Sequence, residues 1–135
     1  MRQPGRVAWL LFALAVIGNL VLLFWPRGVG TGGVSHLDKV AHAVSFGLVM
    51  ATGVRAGLLA RLLAGVLAAH AVTSEAIQHT LLTERSGDPA DVLADLVGVA
   101  GVLLALGAAS WRHERSGRRD RGDGRATAGR EPPAG

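Results

Sequence analysis

From Val7 to Trp25 no ionisable side chain interrupts the chain. At about 1.5 Å per residue such a run crosses a hydrocarbon core of about 30 Å, so it predicts a membrane-spanning helix. Arg2 and Arg6 precede it and Trp25-Pro26 follows, a layout shared with signal peptides. The apolar run is long for that role, no small-x-small cleavage pattern follows, and more hydrophobic segments come later; the expectation is an uncleaved helix. A glycine-rich connector from Gly28 to Gly33 leads to a second segment, from near Leu37 to Val54. Its uninterrupted apolar part, Ala43 to Val54, is short, and it spans only if Asp38, Lys39 and His42 occupy an interfacial turn. Gly53 to Gly57 predicts a tight turn, followed by a third helix from about Leu58 to Leu82. Gly87, Asp88 and Pro89 are turn and helix-start chemistry. With Asp88 as N-cap and Pro89 in the first helical position, a fourth helix runs to about Trp111.

These elements predict an all-α fold, a four-transmembrane-helix bundle over residues 1–111. Small residues recur at packing distance, as in Ala60, Ala64 and Ala68 or Ala94 and Gly98, which lets helix backbones approach closely. Residues 112–135 are rich in Arg, Gly, Asp and Pro and predict a disordered basic C-terminal tail. At 135 residues there is room for one domain and no second catalytic module. Hydrophobic residues make up 50% of the chain and charged ones 18%, the latter gathered at the turns and ends.

The net charge of +4 comes mostly from tail arginines. In a membrane chain these read as flanks that hold one side in the cytoplasm, and nucleic acid is not an expected partner. Arg2 and Arg6, Arg55 and Arg61, and Arg112 onward all fall on one side of four crossings. The positive-inside rule makes that side cytoplasmic, so a multi-pass cell-membrane protein with both termini cytoplasmic is expected. The chain has no cysteine, which excludes disulfides, thiolate metal sites and cysteine nucleophiles.

The same topology puts the polar interruptions of three segments on the other side. Asp38 and His42 are four apart and share a helix face, with Lys39 beside them. Glu75 and Gln78, flanked by Ser74 and His79, lie in the last turns of the third helix, and the glutamate can pair with Lys39, His42 or Arg85. Asp88, Asp91 and Asp95 stack on one face of the fourth helix, with Asp95 about two turns deep, where a charge calls for a nearby cation. Polar groups at such depth usually face the protein interior and mark a site. His42, Glu75 and the aspartates include metal-ligating types, but no compact ligand motif accompanies them, and no metal or cofactor is expected. No serine stands at a defined spacing from a base. His70 is the only candidate proton-path residue deeper in the third helix, which argues against transport.

Read in order, Asp38-Lys39-x-x-His42-x-x-x-Phe46, Ser74-Glu75-x-x-Gln78 and Arg85-x-x-Asp88-x-x-Asp91-x-x-Ala94-Asp95-x-x-Gly98 resemble the VanZ-like family of small bacterial membrane proteins. The resemblance covers about Val7 to Leu106. It implies a four-helix membrane domain and a link to glycopeptide (teicoplanin) resistance. Where that family usually carries asparagine this chain has Asp95, which makes the site more acidic. The functional expectation is an outward-facing cluster that binds or acts on a cell-envelope headgroup, with membrane lipids or a lipid-linked envelope precursor as partner. The alternative is a structural or partner-binding scaffold in which Lys39 pairs with Glu75 and Arg85 with Asp91.

Overall fold

The structure, a computed structural model, describes residues 5–24, 35–81 and 88–128. Four helices follow one another: α1 (Arg6–Phe24), α2 (Ser35–Arg55), α3 (Ala60–Leu81) and α4 (Pro89–Ala128). All four contain a stretch long and apolar enough to cross a membrane. The bounds fall within about two residues of the sequence expectation, except at the end of α4. There the apolar run closes near Trp111 and the backbone stays helical to Ala128, because a helix already nucleated extends at little further cost. From Leu104 onward the described residues form a unit of their own, in which the Arg115 guanidinium lies 3.6 Å over the Trp111 ring. The connector from Gly28 to Gly33, the Trp25-Pro26 stop and Arg85 lie outside the described residues.

The turn between α2 and α3 is built as its glycines predict. Gly57 has φ 90°, a left-handed conformation that glycine adopts without a Cβ penalty. Its N–H donates to the Val54 carbonyl at 3.0 Å, and the Leu58 N–H donates to the Gly53 carbonyl at 3.0 Å. Together these bonds form a Schellman motif that satisfies the last carbonyls of α2.

Leu23, Phe46, Val49, Met50, Leu63, Leu67, Ala71 and Val99 form the core of the first unit, residues 1–103. Leu14, Leu48, Leu62, Leu93 and Val97 point outward and are mostly exposed. An exterior of this kind suits hydrocarbon, where apolar burial does not drive helices together and packing and polar contacts must do so. The closest backbone approach uses Gly98: a Cβ there would collide with the carbonyl of Ala43 on α2, and one on Gly47 would sit 3.4 Å from the Gly98 carbonyl oxygen. The α2–α4 contacts advance in the same direction on both helices, Lys39 with Asp88 and Asp91, His42 with Asp95, and Ala43 with Gly98. The two helices therefore run parallel, with both N-termini at one end of the bundle. Gln78, near the end of α3, donates to the Leu23 carbonyl near the end of α1 at 2.8 Å. The α1 and α3 C-termini thus share that end.

Replacing Gly98 by alanine should force α4 away from α2 and lower stability by about 1–3 kcal/mol, the usual cost of overpacking. Gly65→Ala, whose Cβ would meet nothing within 4 Å, should not destabilise. Thermal unfolding of the two variants in detergent checks this.

Candidate functional site

The polar end is built first by the start of α4. Asp88 caps the helix, its Oδ1 accepting the Ala90 N–H at 2.9 Å and its carbonyl the Asp91 N–H at 2.7 Å. Pro89 lacks an N–H, which suits the first helical position. The other carboxylate oxygen of Asp88 receives the Lys39 ammonium at 2.6 Å, and Asp91 Oδ1 receives it at 2.9 Å. Lys39 is thus a bridge from α2 to two successive acidic positions of α4. Its hydrogen bond, and secondly that of the Ala90 N–H, hold the Asp88 carboxyl below the usual carboxylate range.

One turn deeper, His42 Nδ1 and Asp95 Oδ1 are 3.0 Å apart, and both residues are buried. A carboxylate only accepts, so it selects the tautomer with the proton on Nδ1. The sequence pattern leads one to expect the imidazole beside Asp38, four residues earlier, or in the headgroup region. Asp38 does lie near the imidazole, but the hydrogen bond of His42 goes to α4, and the ring is fully enclosed rather than in the headgroup region. The reason is the Gly98 approach, which brings the α4 backbone close enough for Asp95 to reach across.

Glu75 of α3 lies close to the Asp88 backbone at the start of α4. It does not pair with Lys39, whose ammonium goes to Asp88, the cap of α4, and to Asp91 in its first turn. That corrects the Lys39–Glu75 pairing of the scaffold alternative: α2 and α4 lie side by side, so two aspartates come to the ammonium before the glutamate does. Gln78, expected to serve the cluster, is spent on the Leu23 carbonyl and has a structural role. Asp38 is half-buried on α2, and one of its carboxylate oxygens, one of Asp91 and one nitrogen of His42 lie within 4.8 Å of each other. Of the nine polar residues singled out in the sequence, seven (Asp38, Lys39, His42, Glu75, Asp88, Asp91 and Asp95) gather here; Gln78 turns to α1, and Arg85 lies outside the described residues.

Two polar atoms at this end are buried with no hydrogen-bond partner among the described residues, His42 Nε2 and Glu75 Oε1. Buried polar atoms in folded proteins are nearly always paired, so each such atom calls for an explanation. Beside Glu75 a cleft of about 380 Å³ opens between α3 and α4, lined by Val72, Glu75, Ala76, His79, Pro89 and Val92. Its walls are mostly apolar and its polar groups are few, the composition expected for an amphiphile.

A second polar layer escaped the sequence reading. Asn19 of α1 is buried, donates to Ser45 Oγ at 3.0 Å and accepts from His70 Nε2 at 3.1 Å. Ser45 in turn donates to the His42 carbonyl at 3.0 Å, and the His70 ring stacks on Phe46. The available signal was Asn19 itself, the single amide in an otherwise apolar run.

No family model, curated protein or solved structure matches the chain, so a functional reading rests on this geometry.

A double-mutant cycle between Lys39→Met and Asp91→Asn should show a coupling of about 0.6–1.7 kcal/mol, the range for interhelical polar contacts in membranes. The same cycle between Lys39→Met and Glu75→Gln should show almost none. Thermal or denaturant unfolding in a fixed detergent supplies all of the free energies required.

Proposed function

We propose that the polar end of the bundle binds the headgroup of a cell-envelope lipid, with the α3–α4 cleft admitting the start of its apolar chains. The observation that carries this reading is Glu75: its Oε1 is buried without a partner among the described residues, and its residue lines a mostly apolar cleft. A carboxylate oxygen accepts from ammonium or hydroxyl groups, so the fitting ligand presents such a donor. The Lys39 and His42 pairs hold α2 and α4 together, and this scaffold leaves Glu75 free on one side for the ligand.

Arg6, Arg55 and Arg61 lie at the start of α1, the end of α2 and the start of α3, the end away from the cluster. With that end in the cytoplasm by the positive-inside rule, the cleft opens at the outer leaflet of the cell membrane. A lipid-linked wall precursor meets both requirements, an amphiphile at the outer leaflet with hydroxyl and ammonium donors. A place in the VanZ-like family, and an effect on glycopeptide susceptibility, belong to the same proposal; its support is the order and spacing of the three polar motifs.

Glu75→Gln keeps the side-chain volume and replaces one acceptor oxygen by an NH₂ group. Lipids that co-purify with the wild-type protein, measured by mass spectrometry, should include one species that this variant loses by about tenfold, the equivalent of about 1.4 kcal/mol. Equal lipid profiles for the wild type and for Glu75→Gln and Glu75→Ala, with all three folded, would count decisively against headgroup binding.

A further inference from the structure

Part of the polar end is arranged for something smaller than a lipid. One nitrogen of His42 and one carboxylate oxygen from each of Asp38 and Asp91 lie within 4.8 Å of each other. Nδ1 of this histidine is taken by Asp95, which leaves Nε2 as the nitrogen available to a ligand. That atom is enclosed in a side chain with 0% exposure and has no hydrogen-bond partner among the described residues. With the proton on Nδ1, the lone pair sits on Nε2 and points away from Asp95. A histidine that ligates a metal is usually held in this way, with its other ring N–H donated to a carboxylate.

The charges point in the same direction. Glu75, Asp88, Asp91 and Asp95 meet a single ammonium, Lys39, among the described residues of this end. Lys39 already neutralises Asp88 and shares Asp91. An added cation beside Asp91 would offset charge that is costly at membrane depth.

We infer that Asp38, His42 Nε2 and Asp91 form a binding site for a divalent transition metal of the zinc class, with Asp95 as the positioning residue for the imidazole. Ligand atoms around tetrahedral zinc lie about 3.3 Å apart, given metal–ligand distances of about 2.0–2.2 Å. Side-chain rotations that draw the three atoms together by about 1.5 Å at most reach that geometry. The nitrogen ligand selects against magnesium and calcium, which favour all-oxygen sites. Three protein ligands leave a fourth position for water, as open zinc sites do. The site lies within the cluster assigned to headgroup binding but does not depend on it, since the metal ligands come from α2 and α4 and the cleft from α3 and α4.

The test uses the full chain, purified in detergent without a metal-affinity tag, stripped with chelator, exposed to zinc chloride and dialysed. Wild-type protein should retain about one zinc per chain, measured by elemental mass spectrometry, and zinc should raise its melting temperature. Asp38→Asn and Asp91→Asn should each weaken zinc binding by at least about tenfold, and Asp95→Asn by about 10–100-fold. Cobalt(II) in the wild-type site should give the visible absorption of a four-coordinate ion, lost in Asp38→Asn. Asp38→Asn leaves the His42–Asp95 and Lys39 contacts in place, and its melting temperature without zinc shows whether it folds if the α4 variants do not. Wild-type protein that retains less than about a fifth of an equivalent, or zinc held equally by Asp38→Asn and wild type, overturns the inference. Lipid co-purification in the presence of chelator reads headgroup binding alone, so the two proposals fail separately.

Discussion

The close parallel contact between α2 and α4 is the constraint on which the polar end depends. Gly98 has no side chain to hold the helices apart, and that missing atom sets the distance at which Lys39 reaches Asp88 and Asp91 and His42 reaches Asp95. In hydrocarbon no hydrophobic force selects one rotation of α4 over another. The polar pairs do. A shift of α4 by one residue turns it by about 100° and moves Asp95 off the histidine toward lipid, where a carboxylate is costly. Steric fit and charge pairing therefore specify the same register.

Within that register the polar groups divide into two kinds. Lys39, Asp88, Asp91 and the Nδ1 side of His42 satisfy one another across α2 and α4. The Nε2 side of His42 and one oxygen of Glu75 remain buried and unmatched among the described residues. A purely structural cluster gains nothing from such atoms, because an unsatisfied buried polar group costs about 1–3 kcal/mol. The proposed metal ligands come from α2 and α4 and the cleft from α3 and α4, which is why metal and headgroup are separable readings.

The deeper layer of Asn19, Ser45 and His70 links three helices and meets the cluster through the His42 carbonyl. Towards the turn between α2 and α3 the core consists of Val49, Met50, Leu63 and Leu67, with no fully buried polar side chain among the described residues to continue a path. The layer reads as interhelical packing, worth about 0.6–1.7 kcal/mol per contact, and not as a proton route across the bundle.

The sequence alone determined the helices, their order and the end at which the charges collect. Uninterrupted apolar runs have few other solutions in a bilayer, Asp88-Pro89 and Gly57 are local signals for a helix start and a helix end, and alternation of direction puts the ends of α1 and α3 with the starts of α2 and α4. It did not determine the pairing. The four-residue spacing suggested Asp38 as a neighbour of His42, which it is, but neither the hydrogen bond to Asp95 nor the pairing of Lys39 with Asp88 and Asp91 in place of Glu75 followed from it. The burial of Asn19 against Ser45 and His70 was equally out of reach. Partner choice depends on the interhelical distance and rotation set by Gly98 and its neighbours, which are properties of packed pairs of helices and not of any one segment.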